Sequence, residues 1–219
     1  MTKEKILYHP AKESSMKLNY GWRKILAIRK KRIKDSNGRS FNQKGEILKK
    51  IYNNLPFQLT GSQINVLKEI RADLSSAKSM NRLLQGDVGC GKTIVAILAS
   101  AIVLDNNAQI AILAPTEILA EQHYKSFKEY FNNINIDVGL LIGKMKPKDK
   151  EFLLTQVINS EVNIVIGTHA LLQENVNFKD LGLIIIDEQH RFGVGHRKKI
   201  TDKGSKADML SMTATPIPR

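Results

Sequence analysis

The chain has 219 residues, a formal net charge of +13 and a hydrophobic fraction of 42%. This length favours one domain with a short appendage, and the apolar fraction is enough for a sizeable core. No run of about eighteen apolar residues occurs, and the N-terminus lacks the apolar stretch of a secretory signal, so we expect no membrane span and no leader. Cys90 is the single cysteine, which excludes an intrachain disulfide and fits a reducing, cytoplasmic location.

The positive charge is concentrated near the N-terminus. Residues 1–50 carry 15 Lys or Arg against 4 Asp or Glu, whereas residues 51–219 carry 19 against 17. The densest run, residues 29–34, reads Arg-Lys-Lys-Arg-Ile-Lys. We therefore expect residues 1–44 to form a basic appendage that suits the phosphate backbone of a nucleic acid. The alternative is a solvated helix face at the end of a linker.

Apolar spacing predicts two helices at the start of the chain, over residues 22–34 and 45–54, with a turn at residues 35–38 between them. Beyond these, helices alternate with short apolar strands, which is typical of a parallel sheet covered on both faces. The remaining helices are predicted over residues 61–74, 94–104, 117–131 and 148–159. The strands are predicted over residues 82–85, 109–114, 138–142, 163–166, 183–186 and 209–212.

A complete phosphate-binding pattern lies between the first predicted strand and the apolar helix after it. Residues 86–93 read Gly-Asp-Val-Gly-Cys-Gly-Lys-Thr and match G-x-x-x-x-G-K-[ST]. Backbone N–H groups of such a loop point at an anion, and the N-terminus of the following helix adds partial positive charge. Lys92 can reach the β- and γ-phosphates, and the Thr93 hydroxyl can bind Mg²⁺. The predicted ATP-binding residues of the loop are Gly86, Asp87, Val88, Gly89, Cys90, Gly91, Lys92 and Thr93. For Cys90 we favour a small residue that fits the loop over a nucleophile.

Two carboxylates follow the most apolar strand. Residues 181–186 form an unbroken apolar run, as expected of a central parallel strand, and Asp187 and Glu188 come at its C-terminal end. Together with the phosphate loop they resemble the carboxylates of P-loop ATPases. This resemblance implies ATP and Mg²⁺ as cofactors, with Asp187 binding Mg²⁺ through water and Glu188 orienting or deprotonating the attacking water. The predicted fold class is α/β, a RecA-like P-loop NTPase with a three-layer parallel sheet, helices on both faces and a basic N-terminal helical appendage.

Four further blocks resemble the motifs of superfamily 2 helicases: residues 55–63, 114–123, 167–171 and 213–215. The first is similar to the segment that reads adenine, which implies a nucleotide contact for Gln63. The second and third are similar to DNA-contacting motifs, and the fourth to the motif that couples hydrolysis to DNA movement. The implied DNA-binding residues are Thr116, Glu117, Thr168 and His169, and the implied coupling residues are Thr213, Ala214 and Thr215.

The sequences of residues 187–194 and 213–219 resemble most closely the corresponding motifs of the RecG family of branched-DNA helicases. The Mfd family of transcription-repair coupling translocases is the nearest relative, but it has Glu-Gln where this chain has Gln189-His190. The resemblance covers about residues 45–219, the expected RecA-like ATP-binding domain. It implies ATP hydrolysis coupled to the unwinding or remodelling of branched DNA in recombination and repair. His190 is expected to link the ATP site to the Thr213 segment.

We disfavour a metal site at the histidines, because no cysteine or carboxylate cluster shares the spacing of His123, His169 and His190. RecG proteins also have an N-terminal wedge domain and a second RecA-like domain, whose arginines complete the ATP site. We expect neither within these residues, and we expect full activity to need the second RecA-like domain. Two alternatives stay open: a truncated nucleotide- and DNA-binding module without turnover, and the domain of an Mfd-like translocase on double-stranded DNA.

Overall fold

The computed structural model describes residues 7–8, 38–42, 45–204 and 206–214. The predicted helix over residues 22–34, with its basic run, lies outside the described residues, as does Thr215. The strands are β1 (Leu7–Tyr8), β2 (Asn81–Gln85), β3 (Gln109–Leu113), β4 (Val138–Leu141), β5 (Ile164–Gly167), β6 (Leu181–Asp187) and β7 (Asp208–Thr213). The helices are α1 (Glu46–Asn53), α2 (Gly61–Leu74), α3 (Lys92–Leu104), α4 (Glu117–Phe131), α5 (Pro147–Ile158) and α6 (Val194–Asp202).

The seven described strands form one sheet in the order β1-β2-β7-β6-β3-β5-β4. Strand β1 runs antiparallel to β2, and the other six strands are parallel to one another. Because the strands are parallel, their C-terminal ends meet at one edge of the sheet, where ligands bind in α/β folds. The predicted α/β class with a helix-covered parallel sheet is confirmed.

Alternate residues of the central strands face two separate hydrophobic cores. On β3, Ile110 and Ile112 belong to the core under helices α1 to α4, whereas Ala111 and Leu113 belong to the core on the other face. The second core includes residues of α5 and α6. This burial on both faces explains why the strands are continuous apolar runs in the sequence.

Helix α3 begins two residues earlier than the apolar pattern predicts. Its N-cap is Gly91 at φ 84°, a left-handed conformation that favours glycine. From Ile94 to Leu104 every residue of α3 is buried. The helix that starts in the phosphate loop is therefore enclosed along its length.

Two elements differ from the predictions. Helix α6 was not predicted, and its low apolar content explains why the pattern did not show it. The described strand β1 lies in a region for which no helix or strand was predicted. Within the predicted appendage, Phe41 belongs to the core of the ATPase body, and its N–H donates to the Leu74 carbonyl at 2.8 Å. The division of the chain at residue 45 stays a prediction. No described helix is long and apolar enough to cross a membrane.

Candidate active site

The phosphate loop connects β2 to α3 and bends at two glycines. Gly89 and Gly91 have φ angles of 83° and 84°, which residues with a Cβ rarely adopt. Lys92 Nζ donates to the carbonyl oxygens of Gly86 at 2.7 Å and Asp87 at 2.8 Å. The ammonium group is thus held against the backbone of the loop, within reach of any anion that the loop binds.

Gln63 joins helix α2 to the phosphate loop. Its side chain and Thr60 form a reciprocal capping box at the start of α2. Its remaining amide group, Nε2, donates to the Cys90 carbonyl at 3.1 Å. A Cβ added at Gly91 would lie 2.2 Å from the same Nε2, so this approach depends on glycine. Gln63 therefore supports the loop backbone, and the adenine contact implied by resemblance stays a prediction.

Asp187 ends strand β6 and is almost fully buried. Its Oδ2 accepts a hydrogen bond from His123 Nε2 at 2.7 Å, and its Oδ1 accepts one from the Glu188 N–H at 3.0 Å. The two hydrogen bonds fix the orientation of the carboxylate.

His123 is a site residue whose contact with Asp187 was not predicted from the sequence, because only folding brings the two together. A local signal for its burial was present: Ala120, His123, Phe127 and Phe131 are the buried residues of α4. This helical spacing places His123 on the face that packs on the sheet.

Glu188 connects Asp187 to two other predicted residues. Its backbone is left-handed, with φ 46°, which costs a non-glycine residue roughly 1–2 kcal/mol. Its Oε2 accepts a hydrogen bond from Thr213 Oγ1 at 3.3 Å and lies 3.3 Å from His190 Nδ1. The structure thus brings His190 and Thr213 to the same carboxylate oxygen, and the linking role of His190 stays a prediction.

One cavity of about 540 Å³ brings four residues of the phosphate loop together with both predicted carboxylates. It is lined from three directions: by the phosphate loop, by the ends of β6 and β7, and by one side of α4. Its lining includes Val88, Gly89, Lys92, Thr93, Asp187, Glu188 and Ala214. The residues that α4 adds, which were not predicted, include Leu119, Gln122 and Lys125.

The four residues predicted to contact DNA lie at the ends of two neighbouring strands, β3 and β5. Thr116 is the N-cap of α4, and its Oγ1 accepts a hydrogen bond from the Leu119 N–H at 3.3 Å. Glu117 accepts from the Gly143 N–H at 2.9 Å. Thr168 is buried, whereas His169 is exposed. The His169 ring centroid lies 5.4 Å from that of Phe192.

Comparison with known proteins agrees with this geometry. The profile described as DEAD/DEAH box helicase matches residues 60–219. The chain belongs to this helicase family.

Similar curated proteins bear the name ATP-dependent DNA helicase RecG. The protein from Aquifex aeolicus is 47% identical over 196 residues, which cover 89% of this chain and 25% of that protein. The protein from Thermotoga maritima is 51% identical over 195 residues, which cover 88% of this chain and 24% of that protein. The chain thus spans about a quarter of the length of these relatives.

Two solved structures give the same fold. RecG bound to a three-way DNA junction matches with a TM-score of 0.76 and 48% identity, covering 88% of this chain and 26% of that one. A hypothetical ATP-dependent RNA helicase from Sulfolobus tokodaii matches with a TM-score of 0.60 at 18% identity, covering 79% and 51%. The second match shows the fold alone.

Proposed function

We propose that the chain is the ATPase motor domain of a RecG-type DNA helicase, which couples ATP hydrolysis to the remodelling of branched DNA in recombination and repair. The observation that carries this proposal is the single cavity lined by Lys92, Thr93, Asp187 and Glu188. Identities of 47% and 51% with RecG helicases support the RecG type over the Mfd type. A cytoplasmic location is part of the proposal, because Cys90 is a free buried thiol.

In this function the loop residues bind the ATP phosphates and Lys92 neutralises the charge on the β- and γ-phosphates. Glu188 orients the attacking water and accepts its proton, for which its carboxylate must be ionised. The contact between Glu188 and Thr213 joins the hydrolytic carboxylate to the predicted coupling segment. A change in the position of Glu188 on hydrolysis would therefore alter its hydrogen bond with Thr213 at the end of β7.

The residues present fit magnesium. Thr93 and Asp187 are oxygen donors that line the same cavity, and Mg²⁺ binds oxygen ligands while keeping several waters. Both Asp187 oxygens already accept a hydrogen bond, which suits a carboxylate that binds the ion through a water molecule and not directly. We propose that Thr93 and Asp187 hold the ion, which supplies charge neutralisation when it is bound with ATP.

DNA is proposed to pass over the ends of β3 and β5. The Thr116 and Thr168 hydroxyls and the N-terminus of α4 are there, and such groups bind phosphate oxygens. The solved RecG structure contains a three-way DNA junction, so we propose branched DNA as the substrate. Full activity is proposed to need a second RecA-like domain, whose arginine would complete the ATP site.

An ATPase assay with this chain, and with a longer version that includes a second RecA-like domain, tests the proposal. Each protein is measured without DNA, with linear duplex and with a three-way junction. We expect both to bind a fluorescent ATP analogue. We expect the longer version alone to show fast hydrolysis, stimulated more by the junction than by the linear duplex. A longer version that binds ATP but never hydrolyses it, with or without DNA, would support the binding-module alternative.

A further inference from the structure

Three strand ends are tied together on the side of the sheet where DNA is proposed to bind. Glu117, just after β3, accepts a hydrogen bond from the Gly143 N–H at 2.9 Å, in the loop after β4. The Thr168 N–H, just after β5, donates to the Leu141 carbonyl at 3.3 Å. A Cβ added at Gly167 would lie 2.2 Å from the same carbonyl oxygen, so β5 and β4 end in close contact. The end of β4 and the loop after it are thus held by residues that follow β5 and β3.

The first lysine of this loop is held by two carboxylates of α4. Lys144 Nζ lies 2.6 Å from Glu121 Oε1 and 4.0 Å from Glu117 Oε2. The hydrogen bond and the charge of Glu121 raise the pKa of Lys144, and Lys144 in turn lowers the pKa of Glu121. The Lys144 side chain is 62% exposed to water, so an anion in solution can compete for the ammonium group.

Lysines occupy alternate positions from this loop into the start of α5. Lys144, Lys146 and Lys148 are all exposed, and Lys146 is the N-cap of α5. The next lysine, Lys150, instead bonds to Gln173. Three exposed cations therefore lie before or within the first turn of α5, whose free N–H groups also favour an anion.

We propose that Glu117 is a positioning residue that fixes the β4–α5 loop, so that Lys144, Lys146 and Lys148 contact the phosphate backbone of DNA. This rests on the proposed DNA-helicase function and changes the role of Glu117, which resemblance assigns to DNA contact. A carboxylate repels a nearby phosphate, whereas its bond to Gly143 holds the backbone beside the lysines. Lys144 exchanges its carboxylate partners for a phosphate when DNA binds.

The experiment measures the affinity of this chain for a fluorescein-labelled 30-base-pair duplex at several salt concentrations. Changing Lys144, Lys146 and Lys148 together to Ala removes the cations for up to three phosphates. The slope of log affinity against log salt should then shrink by about 0.9 for each phosphate that no longer meets a lysine. Binding of a fluorescent ATP analogue should stay at the parental level, because the ATP cavity is elsewhere on the edge.

The role of Glu117 is tested by the sign of the change. Glu117→Ala removes a negative charge, so electrostatics alone would strengthen DNA binding. Positioning predicts the opposite, a loss of roughly tenfold, because the loop loses the acceptor that fixes it. Glu117→Gln keeps an acceptor for the Gly143 N–H and should restore affinity to the parental value or above. The matched control is Glu129→Ala, which removes the same charge from an exposed position on α4 and should not weaken binding.

The outcomes separate this inference from the proposed function. A parental chain that binds no duplex even at low salt would overturn both. A parental chain that binds, with Glu117→Ala binding equally or more tightly, would overturn the positioning role. An unchanged salt slope in the triple lysine variant would show that these lysines do not bind phosphate. A Glu117→Ala chain that also fails to bind the ATP analogue and melts at lower temperature is misfolded. In that case the DNA affinity of the Glu117→Gln variant and the salt slope of the triple lysine variant test the proposal.

Discussion

The two halves of the C-terminal sheet edge are built differently. At the ends of β2, β7 and β6, the functional side chains are bonded to protein partners: Lys92 to loop carbonyls, Asp187 to His123, and Glu188 to Thr213. At the ends of β3, β5 and β4, the segment after β4 carries exposed lysines, one of which, Lys144, pairs with Glu121 at the surface. The first half is preorganised, as hydrolysis requires. The second is a charged, solvated surface, which suits a partner read through its backbone.

Helix α4 belongs to both halves. Its N-terminus, at Thr116 and Glu117, faces the proposed DNA side, whereas His123 bonds to Asp187 in the ATP site. His123 lies six positions after Glu117 on the helix, a rise of about 9 Å. A shift of α4 on DNA binding would therefore move the partner of the buried carboxylate, which gives a physical route from DNA to ATP.

The largest expected effect is in the ATP half. Glu188→Gln should reduce single-turnover ATP hydrolysis by about 10²–10⁴-fold in a version with a second RecA-like domain, because the amide cannot accept a proton from water. Affinity for ATP should change little, since Lys92 and Thr93 are intact. Rapid-quench measurements on this variant and on a Glu129→Gln control would show the difference. Hydrolysis at the parental rate would remove Glu188 from the mechanism.

The next effect separates the two halves by binding. Lys92→Ala should lower the affinity for a fluorescent ATP analogue roughly a hundredfold, because it removes a charged donor to the phosphates. Its affinity for duplex DNA should stay unchanged. Lys148→Ala should give the reverse pattern: normal ATP binding and weaker DNA binding. If both variants failed to bind both ligands equally, the two halves would not be separate sites.

A smaller effect is expected outside the described residues, in the basic run that sequence alone points to. Five residues, all Lys or Arg, would be changed to Gln: Arg29, Lys30, Lys31, Arg32 and Lys34. The salt slope of duplex binding should shrink by up to about 0.9 per changed residue that meets a phosphate. Changing Lys49 and Lys50 on α1 serves as the control. Equal slopes in the parent and the five-residue variant would mean that this run is a solvated segment.

The smallest functional effect is expected at the opposite edge of the sheet, where Asp208 begins β7. Burial raises its pKa to about 7, although a hydrogen bond from the Met80 N–H lowers it. The folded chain therefore keeps a proton that the unfolded chain loses above pH 3.8. Stability from this group is present at low pH and is lost as the pH rises towards 7, at roughly 1.4 kcal/mol per unit of pKa difference.

Asp208→Asn should abolish that loss. Urea unfolding should show the variant to be more stable than the parent at about pH 8, with the difference shrinking towards about pH 5. ATP and DNA binding should be unaffected, because the site lies at the other edge of the sheet. Asp149→Asn, an exposed acid on α5, is the control. A variant that is less stable at high pH would show that the Asp208 charge is compensated within the fold.

The sequence alone determined the features whose chemistry is local. The phosphate loop, the apolar strand that ends at Asp187 and the alternation of helices with strands all depend on residues close in the chain, so their spacing is visible. Helices Gly61–Leu74 and Glu117–Phe131 have the predicted bounds. Helix α6 has no comparable pattern, because few of its residues are apolar.

Only the tertiary structure decided which distant residues meet. Strand β6 lies between β7 and β3, and this order brings Thr213 to Glu188, 25 residues away, and His123 to Asp187, 64 residues away. It also places the Gly143 loop beside Glu117. The order of strands follows from how the helices pack on the whole sheet, which no short stretch of sequence encodes.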